Sequence, residues 1–268
     1  MKNLKGKIAV VTGAGSGMGR CMTLQLSEKG AIVIATDKNK ETLEETKNLS
    51  KKGKIHIYTV DASKEKEIFT FAENIIKEFG HIDILINNAG FALGKIPLKD
   101  VKMEDFKQLV DVNLWGVINH TKAFIDVLLE RPEASIVNIS SLFGIIGIAD
   151  QVPYCTTKFA VRGFSESLRM EMIGTNVVVT CVHPGGIKTN IAKNSINYGQ
   201  EELMEKFEKN MLRISADEAA HDIINSIQKK KERLLIGIEV DIIDRVVRSF
   251  PVKYSNMIKA VYEKMLNK

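Results

Sequence analysis

The first thirty residues constrain the fold most. A short β-branched run, Lys7-Ile-Ala-Val-Val-Thr12, ends in Gly13, and Gly15, Gly17 and Gly19 follow closely. A helical pattern carrying Met22, Leu24 and Leu26 then stops at Gly30, a residue suited to a helix C-cap. Strand, glycine turn and helix in that order bring backbone N–H groups and the positive end of a helix dipole to one point, an arrangement that holds a pyrophosphate. The spacing is G-x-x-x-G-x-G through Gly13, Gly17 and Gly19 rather than G-x-G-x-x-G, because position 18 is Met18. Purely structural turns also use glycine; the place of this one after a first strand is what points to a nucleotide.

The rest of the chain repeats the alternation. A second strand, Ala31 to Thr36, ends at Asp37, where a dinucleotide fold puts the acid that binds a ribose 2′-hydroxyl. A carboxylate there repels a 2′-phosphate and favours NAD, while Lys38 offsets it in part and keeps NADP possible. Capping of the helix from Glu41 to Leu49 is an alternative use of Asp37. Lys54 to Val60 reads as a third strand ending at Asp61, Ser63 to Phe79 as a helix, and Ile82 to Ile86 as a fourth strand running into Asn87-Asn88-Ala89-Gly90. Strands alternating with helices predict a parallel sheet covered on both faces, with ligands at the carboxyl ends of the strands.

A helix from about Met103 to Leu129 follows, with Asn113 in its middle, where asparagine either faces solvent or satisfies something buried. The fifth strand, Ser135 to Ser140, delivers Ser141 to its end, ahead of Tyr154 and Lys158. If Pro153 opens a helix, Tyr154 and Lys158 are i and i+4 neighbours on one face. An ammonium beside a phenol favours the phenolate and moves its pKa toward that of a working acid–base catalyst.

Composition excludes several other classes. Hydrophobic residues make up 44%, charged residues 26%, and the net charge is +5, so nothing calls for nucleic acid. Cys21, Cys155 and Cys181 have no metal-ligand spacing, which predicts no metal site and free thiols in a reduced, cytoplasmic protein. The start of the chain reads as neither a signal peptide nor a membrane span.

Thr12-Gly13-x-x-x-Gly17-x-Gly19, Asn87-Asn88-Ala89-Gly90, Asn113, Ser141, Tyr154-x-x-x-Lys158 and Pro184-Gly185-x-Ile187-x-Thr189 together resemble the short-chain dehydrogenase/reductase family, in its single-domain branch. The resemblance covers about residues 5 to 240. It implies an α/β, Rossmann-type, doubly wound, mainly parallel seven-stranded sheet, and hydride transfer between a nicotinamide cofactor and a carbinol or carbonyl carbon. It further implies that Tyr154 is the acid/base, Lys158 lowers its pKa and binds the nicotinamide ribose, Ser141 holds the substrate oxygen, and Asn113 positions a water. Gly13, Gly17, Met18, Gly19, Ala89 and Gly90 would line the cofactor. Asp37 would take the adenosine ribose, Asp61 the adenine edge and Asn87 the nearby ribose. Pro184, Gly185, Ile187 and Thr189 would flank the carboxamide. A homodimer or homotetramer is the expected assembly, and an NADP-dependent 3-oxoacyl thioester reductase is the alternative activity.

The region after Val182 speaks to substrate. The resemblance makes residues 188–213 a lid, and its apolar residues, with Phe91, Leu93, Leu142, Phe143 and Ile148, predict an apolar alcohol or ketone substrate, although core packing serves equally for each. Ser215-x-x-Glu218 opens a helix as a capping box, and Arg233 to Ile238 reads as a last strand. Beyond a catalytic domain of residues 1–240, residues 241–268 form a basic, amphipathic helical extension broken at Pro251. Three uses fit it: a flap over the substrate mouth, a subunit contact, or a membrane-surface segment.

Overall fold

A computed structural model of the chain describes residues 1–51, 53–188 and 214–257. The strands are β1 (Ile8–Thr12), β2 (Ile32–Asp37), β3 (Lys54–Thr59), β4 (Ile84–Asn87), β5 (Ala134–Ile139), β6 (Val177–Pro184), β7 (Ile187–Lys188), β8 (Ile214–Ser215) and β9 (Arg233–Ile236). The helices are α1 (Gly17–Glu28), α2 (Lys40–Leu49), α3 (Glu65–Phe79), α4 (Met103–Val110), α5 (Gly116–Leu129), α6 (Val152–Glu171), α7 (Ala216–Gln228) and α8 (Ile238–Ser249). Seven strands form one sheet in the order β3-β2-β1-β4-β5-β6-β9, with every neighbouring pair parallel. The sheet and its covering helices bear out the Rossmann-type, doubly wound expectation.

Strand alternation explains the two-sided core. Ala9, Val11, Val33, Ala35, Ile84, Ile86, Val137 and Ile139 face α1 and α7, which supply Met22, Leu26, Ala219 and Ile223. Ile8, Val10, Ile34, Leu85, Ile136 and Val179 point the opposite way, onto Ile68 and Ile75 of α3, Phe124 of α5 and Leu168 of α6. Successive side chains of a strand leave opposite faces, so a sheet covered on both sides needs unbroken apolar runs. Chain order reverses between β1 and β4, which leaves a crevice at their carboxyl ends.

Several boundaries differ from the sequence reading. The helix expected over Met103 to Leu129 is α4 and α5 joined by a π-helical segment, Asp111–Trp115, centred on Asn113. Helix α3 starts at Glu65, not Ser63, because the Ser63 N–H and hydroxyl both donate to Asp61 Oδ1 (2.9 and 2.8 Å) and hold that residue in the preceding turn. The run His183-Pro184-Gly185-Gly186 reads as a turn in the sequence, but its first two residues are the end of β6. The short parallel pair β7 and β8 has too little pattern to read from sequence.

At the C-terminal end, α8 begins at Ile238, so the boundary between residues 240 and 241 falls inside its first turn. Val240 is fully buried against Leu142, Ile145 and Ile146. Asp244 accepts from Arg233 Nη1 (2.8 Å) and Nη2 (2.6 Å) and from Arg248 Nε (3.0 Å), which ties α8 to β9. The lid expected over residues 188–213, except Lys188, and residues 258–268 of the expected extension, with its apolar Ile258, Val261, Tyr262, Met265 and Leu266, lie outside the described residues. Among the described residues, no helix is long and apolar enough to cross a membrane, and no His, Cys, Asp and Glu cluster could hold a metal.

The capping box of α7 is present, with Ser215 Oγ accepting from the Glu218 N–H (3.1 Å) and the Glu218 carboxylate accepting from the Ser215 N–H (2.8 Å). Ser215→Ala removes one half of it, and the expected loss is about 1 kcal/mol of stability, measured by urea unfolding.

Candidate active site

The crevice between β1 and β4 is built from backbone. Gly13 has φ +66°, and a Cβ there would stand 2.8 Å from Ala89 Cα. A Cβ on Gly19 would collide with the Gly13 carbonyl oxygen, so α1 can approach the turn only with glycine at this position. Met18, half-buried between them, packs against the core beneath α1. The first turn of α1 carries no acidic residue, and its N-cap, Ser16, makes no side-chain cap hydrogen bond. The residues therefore fit a pyrophosphate: glycine at 13, 15, 17 and 19 leaves the backbone open to close approach, and the helix end keeps donors that no side-chain cap satisfies.

The ends of β1 and β4 are clasped together. Thr12 Oγ1 accepts from the N–H groups of Asn88 (3.0 Å) and Ala89 (2.9 Å), while Asn88 Nδ2 donates to the carbonyls of Thr12 (2.9 Å) and Gly13 (3.2 Å). Asp37 stands beside this turn, accepting from Gly15 N–H (3.0 Å) and from Asn39 N–H (3.1 Å). Asn39, not Asp37, caps α2 by accepting from Thr42 N–H, because it is the residue adjoining the first helical position. Asn87 turns inward: its amide donates to Thr121 Oγ1 (3.0 Å) and Asn138 Oδ1 (2.8 Å) beneath the crevice. Pro184 is buried at the end of β6, Gly185 N–H donates to Ile236 O (2.9 Å), and Ile187 is buried beyond it. Thr189 lies outside the described residues.

At the other end of the crevice Tyr154, Lys158, Ser141 and Asn113 come together. Pro153 occupies the first turn of α6, where it costs no hydrogen bond, and the helix brings Tyr154 and Lys158 to one buried face. The Lys158 ammonium donates to Ile139 O (3.0 Å) and lies 5.6 Å from the centroid of the Tyr154 ring. Ser141 Oγ accepts from Phe143 N–H (3.1 Å) and stands near enough to the Tyr154 phenol to lower its pKa. Asn113, fully buried, accepts from Phe91 N–H (3.0 Å) and donates to Phe91 O (2.9 Å), pinning the loop that leaves Gly90. A Cβ on Gly90 would be 3.1 Å from Asn113 Oδ1 and 3.6 Å from Lys158 Nζ, so this stretch runs directly over the lysine.

The short chain dehydrogenase family model matches residues 7–198. The chain belongs to this family. It is 37% identical over 268 residues to the Mycobacterium tuberculosis protein SadH, a match that spans 97% of this chain and 96% of that one. A serine dehydrogenase solved in its closed form with NADP+ superposes with a TM-score of 0.79 at 31% identity, over 85% of this chain and 94% of the other. A short chain dehydrogenase/reductase from Burkholderia phymatum, solved with NAD, reaches a TM-score of 0.85 over 93% of this chain and 95% of its own. At 22% identity that second likeness speaks for the fold. By its family the chain is an NAD(P)-dependent dehydrogenase or reductase.

Electrostatics in the site depart from the sequence expectation. The Tyr154 phenol is pushed up to about 12, chiefly by burial, and the Ser141 hydroxyl beside it lowers it only in part. Lys158 does not bring it down, because its ammonium sits over the ring face and is itself lowered to about 8 by burial. The half-buried rings of Phe91, Phe106 and Phe143 close around the phenol, and Phe143 meets it edge-on at 6.1 Å. Sequence reasoning passed over the Thr12–Asn88 clasp, although both residues stand in the quoted motifs. It also passed over His183, whose imidazole is fully buried with Nδ1 3.1 Å from Ser141 O.

The lysine sets a stability signature. Its folded pKa of about 8 lies below the unfolded 10.5, so the folded chain carries the full cost of the buried charge below pH 8. That cost is relieved as pH rises toward 10.5, and this group alone adds on the order of 3 kcal/mol of stability across that window. Tyr154, raised, contributes in the opposite sense only above about pH 10. Denaturant unfolding of the cofactor-free protein between pH 8 and 10 therefore shows a rise in wild type that Lys158→Met lacks.

Proposed function

We propose that this enzyme transfers a hydride between NAD(H) and the carbinol or carbonyl carbon of an apolar alcohol or ketone, with Tyr154 as the acid/base. The observation that carries this reading is the convergence of Ser141, Tyr154 and Lys158, with the buried Lys158 ammonium 5.6 Å from the centre of the Tyr154 ring. The nicotinamide, when bound, supplies the hydride acceptor or donor. In reduction the neutral phenol, held protonated by burial, gives its proton to the developing alkoxide; in oxidation the same oxygen receives the hydroxyl proton. Ser141 Oγ steadies the substrate oxygen as its charge grows. Lys158 would hold the nicotinamide ribose and Asn113 a water beside it; Ile187 and Thr189 would meet the carboxamide.

In the same reading Gly13, Gly17 and Gly19, with Ala89 and Gly90, hold the pyrophosphate side of the cofactor, Asp61 the adenine, and Asp37 the adenosine ribose. The preference for NAD follows from the Asp37 carboxylate, which stands against the glycine turn where a 2′-phosphate would bring like charge. Apolar substrates follow from Phe91, Leu93, Phe106 and Phe143, which pack with Tyr154 in one cluster. The proposed setting is the cytoplasm, and the proposed assembly a homodimer or homotetramer.

Two experiments test the reading. Tyr154→Phe is expected to lower kcat by about 10²–10⁴-fold on a panel of apolar alcohols while still binding NADH; turnover that survives would overturn the mechanism. Asp37→Asn keeps an acceptor for Gly15 but removes the charge, and by cofactor fluorescence its affinity for NADPH is expected to rise about tenfold relative to NADH. An unchanged ratio would remove Asp37 from cofactor selection.

A further inference from the structure

His183 is the penultimate residue of β6, with its side chain wholly inside the protein. Its Nδ1 lies 3.1 Å from the carbonyl oxygen of Ser141, the residue whose own hydroxyl accepts from Phe143 N–H and stands beside the Tyr154 phenol. A carbonyl oxygen only accepts, so at this distance the ring must present an N–H, and the bonded tautomer carries its proton on Nδ1. Nε2 is then the bare nitrogen, and among the described residues no polar atom bonds it. Burial, with the guanidinium groups of Arg233 and Arg162 nearby and Asp244 opposing them, lowers the ring to about 4, so the imidazole is neutral at working pH.

We infer that His183 is a positioning residue for Ser141: its Nδ1–H holds the Ser141 carbonyl and thereby sets where the serine hydroxyl stands relative to Tyr154. Backbone geometry supports this. Ser140 N–H already donates to Val182 O (2.8 Å), and Ser140 Oγ donates to Lys158 O (2.8 Å), so the chain is fixed on the near side of Ser141. Directly beyond Ser141 it enters a single 3-10 turn, Leu142–Gly144. The Ser141 carbonyl closes this turn by accepting from the Gly144 N–H (2.9 Å), and His183 Nδ1 is its second partner and the side chain that ties it to β6. The inference rests on the acid–base reading of Ser141 and Tyr154 given above.

The test exploits amide geometry. Asparagine places its Nδ2 near the position of histidine Nδ1, whereas glutamine places its Nε2 near that of histidine Nε2, so two polar amides of similar character differ in which atom they replace. His183→Asn is expected to keep kcat within about threefold of wild type. His183→Gln is expected to lose about 10- to 100-fold in kcat, with the NADH dissociation constant unchanged within about twofold. A merely structural role would affect both through melting temperature and leave kcat of the folded enzyme alike; equal kcat for the two variants, with Tyr154→Phe still inactive, overturns the inference alone. Turnover surviving in Tyr154→Phe overturns the acid–base reading and this inference with it. Should neither variant fold, ¹⁵N NMR of the wild-type imidazole decides: a proton on Nδ1 at pH 7 is required, and a proton on Nε2 with Nδ1 bare overturns the inference.

Discussion

The crevice depends on the clasp between Thr12 and the Asn88-Ala89 peptide. Where a parallel sheet reverses its strand order, two neighbouring strands part and their final N–H and C=O groups lose their ladder partners. Thr12 Oγ1 takes two of those N–H groups and the Asn88 amide takes two carbonyls, so the opening carries little unsatisfied backbone. The glycine turn can then lie flat against Ala89 Cα. Beneath it Asn87, Asn138 and Ser165 pass hydrogen bonds from β4 to β5 to α6, linking the cofactor side of the sheet to the helix that bears Tyr154.

On that helix the chain accepts an unfavourable burial. Lys158 is enclosed with a carbonyl, Ile139 O, as hydrogen-bond acceptor and a ring face as its neighbour. Burying an ammonium over a phenol in this way is costly, and ligand hydroxyls that accept from it would recover part of that cost. Tyr154, neutral in the same enclosure, is poised as an acid before it can serve as a base.

Much of this was legible in the sequence because it is local. Strand runs, the glycine spacing, the Ser215 capping box and the i, i+4 relation of Tyr154 and Lys158 each depend on residues a few positions apart. What was not legible depends on depth or on contacts across the sheet. The direction of the Tyr154 pKa follows from burial by Phe91, Phe106 and Phe143, which no spacing encodes. Asn87 reads as a turn residue facing a ligand, yet it ends a fully buried strand and its partners come from α5 and β5. His183 belongs by sequence to a Pro-Gly turn and only the pairing of β5 with β6 puts it against Ser141. The helix from Ile238 was read as starting later because its first turn, including Val240, is apolar enough to pass for the end of a strand.

The π-helical segment at Asp111–Trp115 has a further meaning. Leu109, Asn113 and Val117 are buried at intervals of four, while Val117, Thr121, Phe124 and Leu128 continue toward the sheet at ordinary helical spacing. A regular α-helix turns about 100° per residue, so one surplus residue in the wide turn lets Asn113 face Phe91 without rotating the stripe that follows. The segment thus works as a gauge: removing a single residue there would leave a better-formed helix, and either the asparagine or the whole apolar face of α5 would point the wrong way.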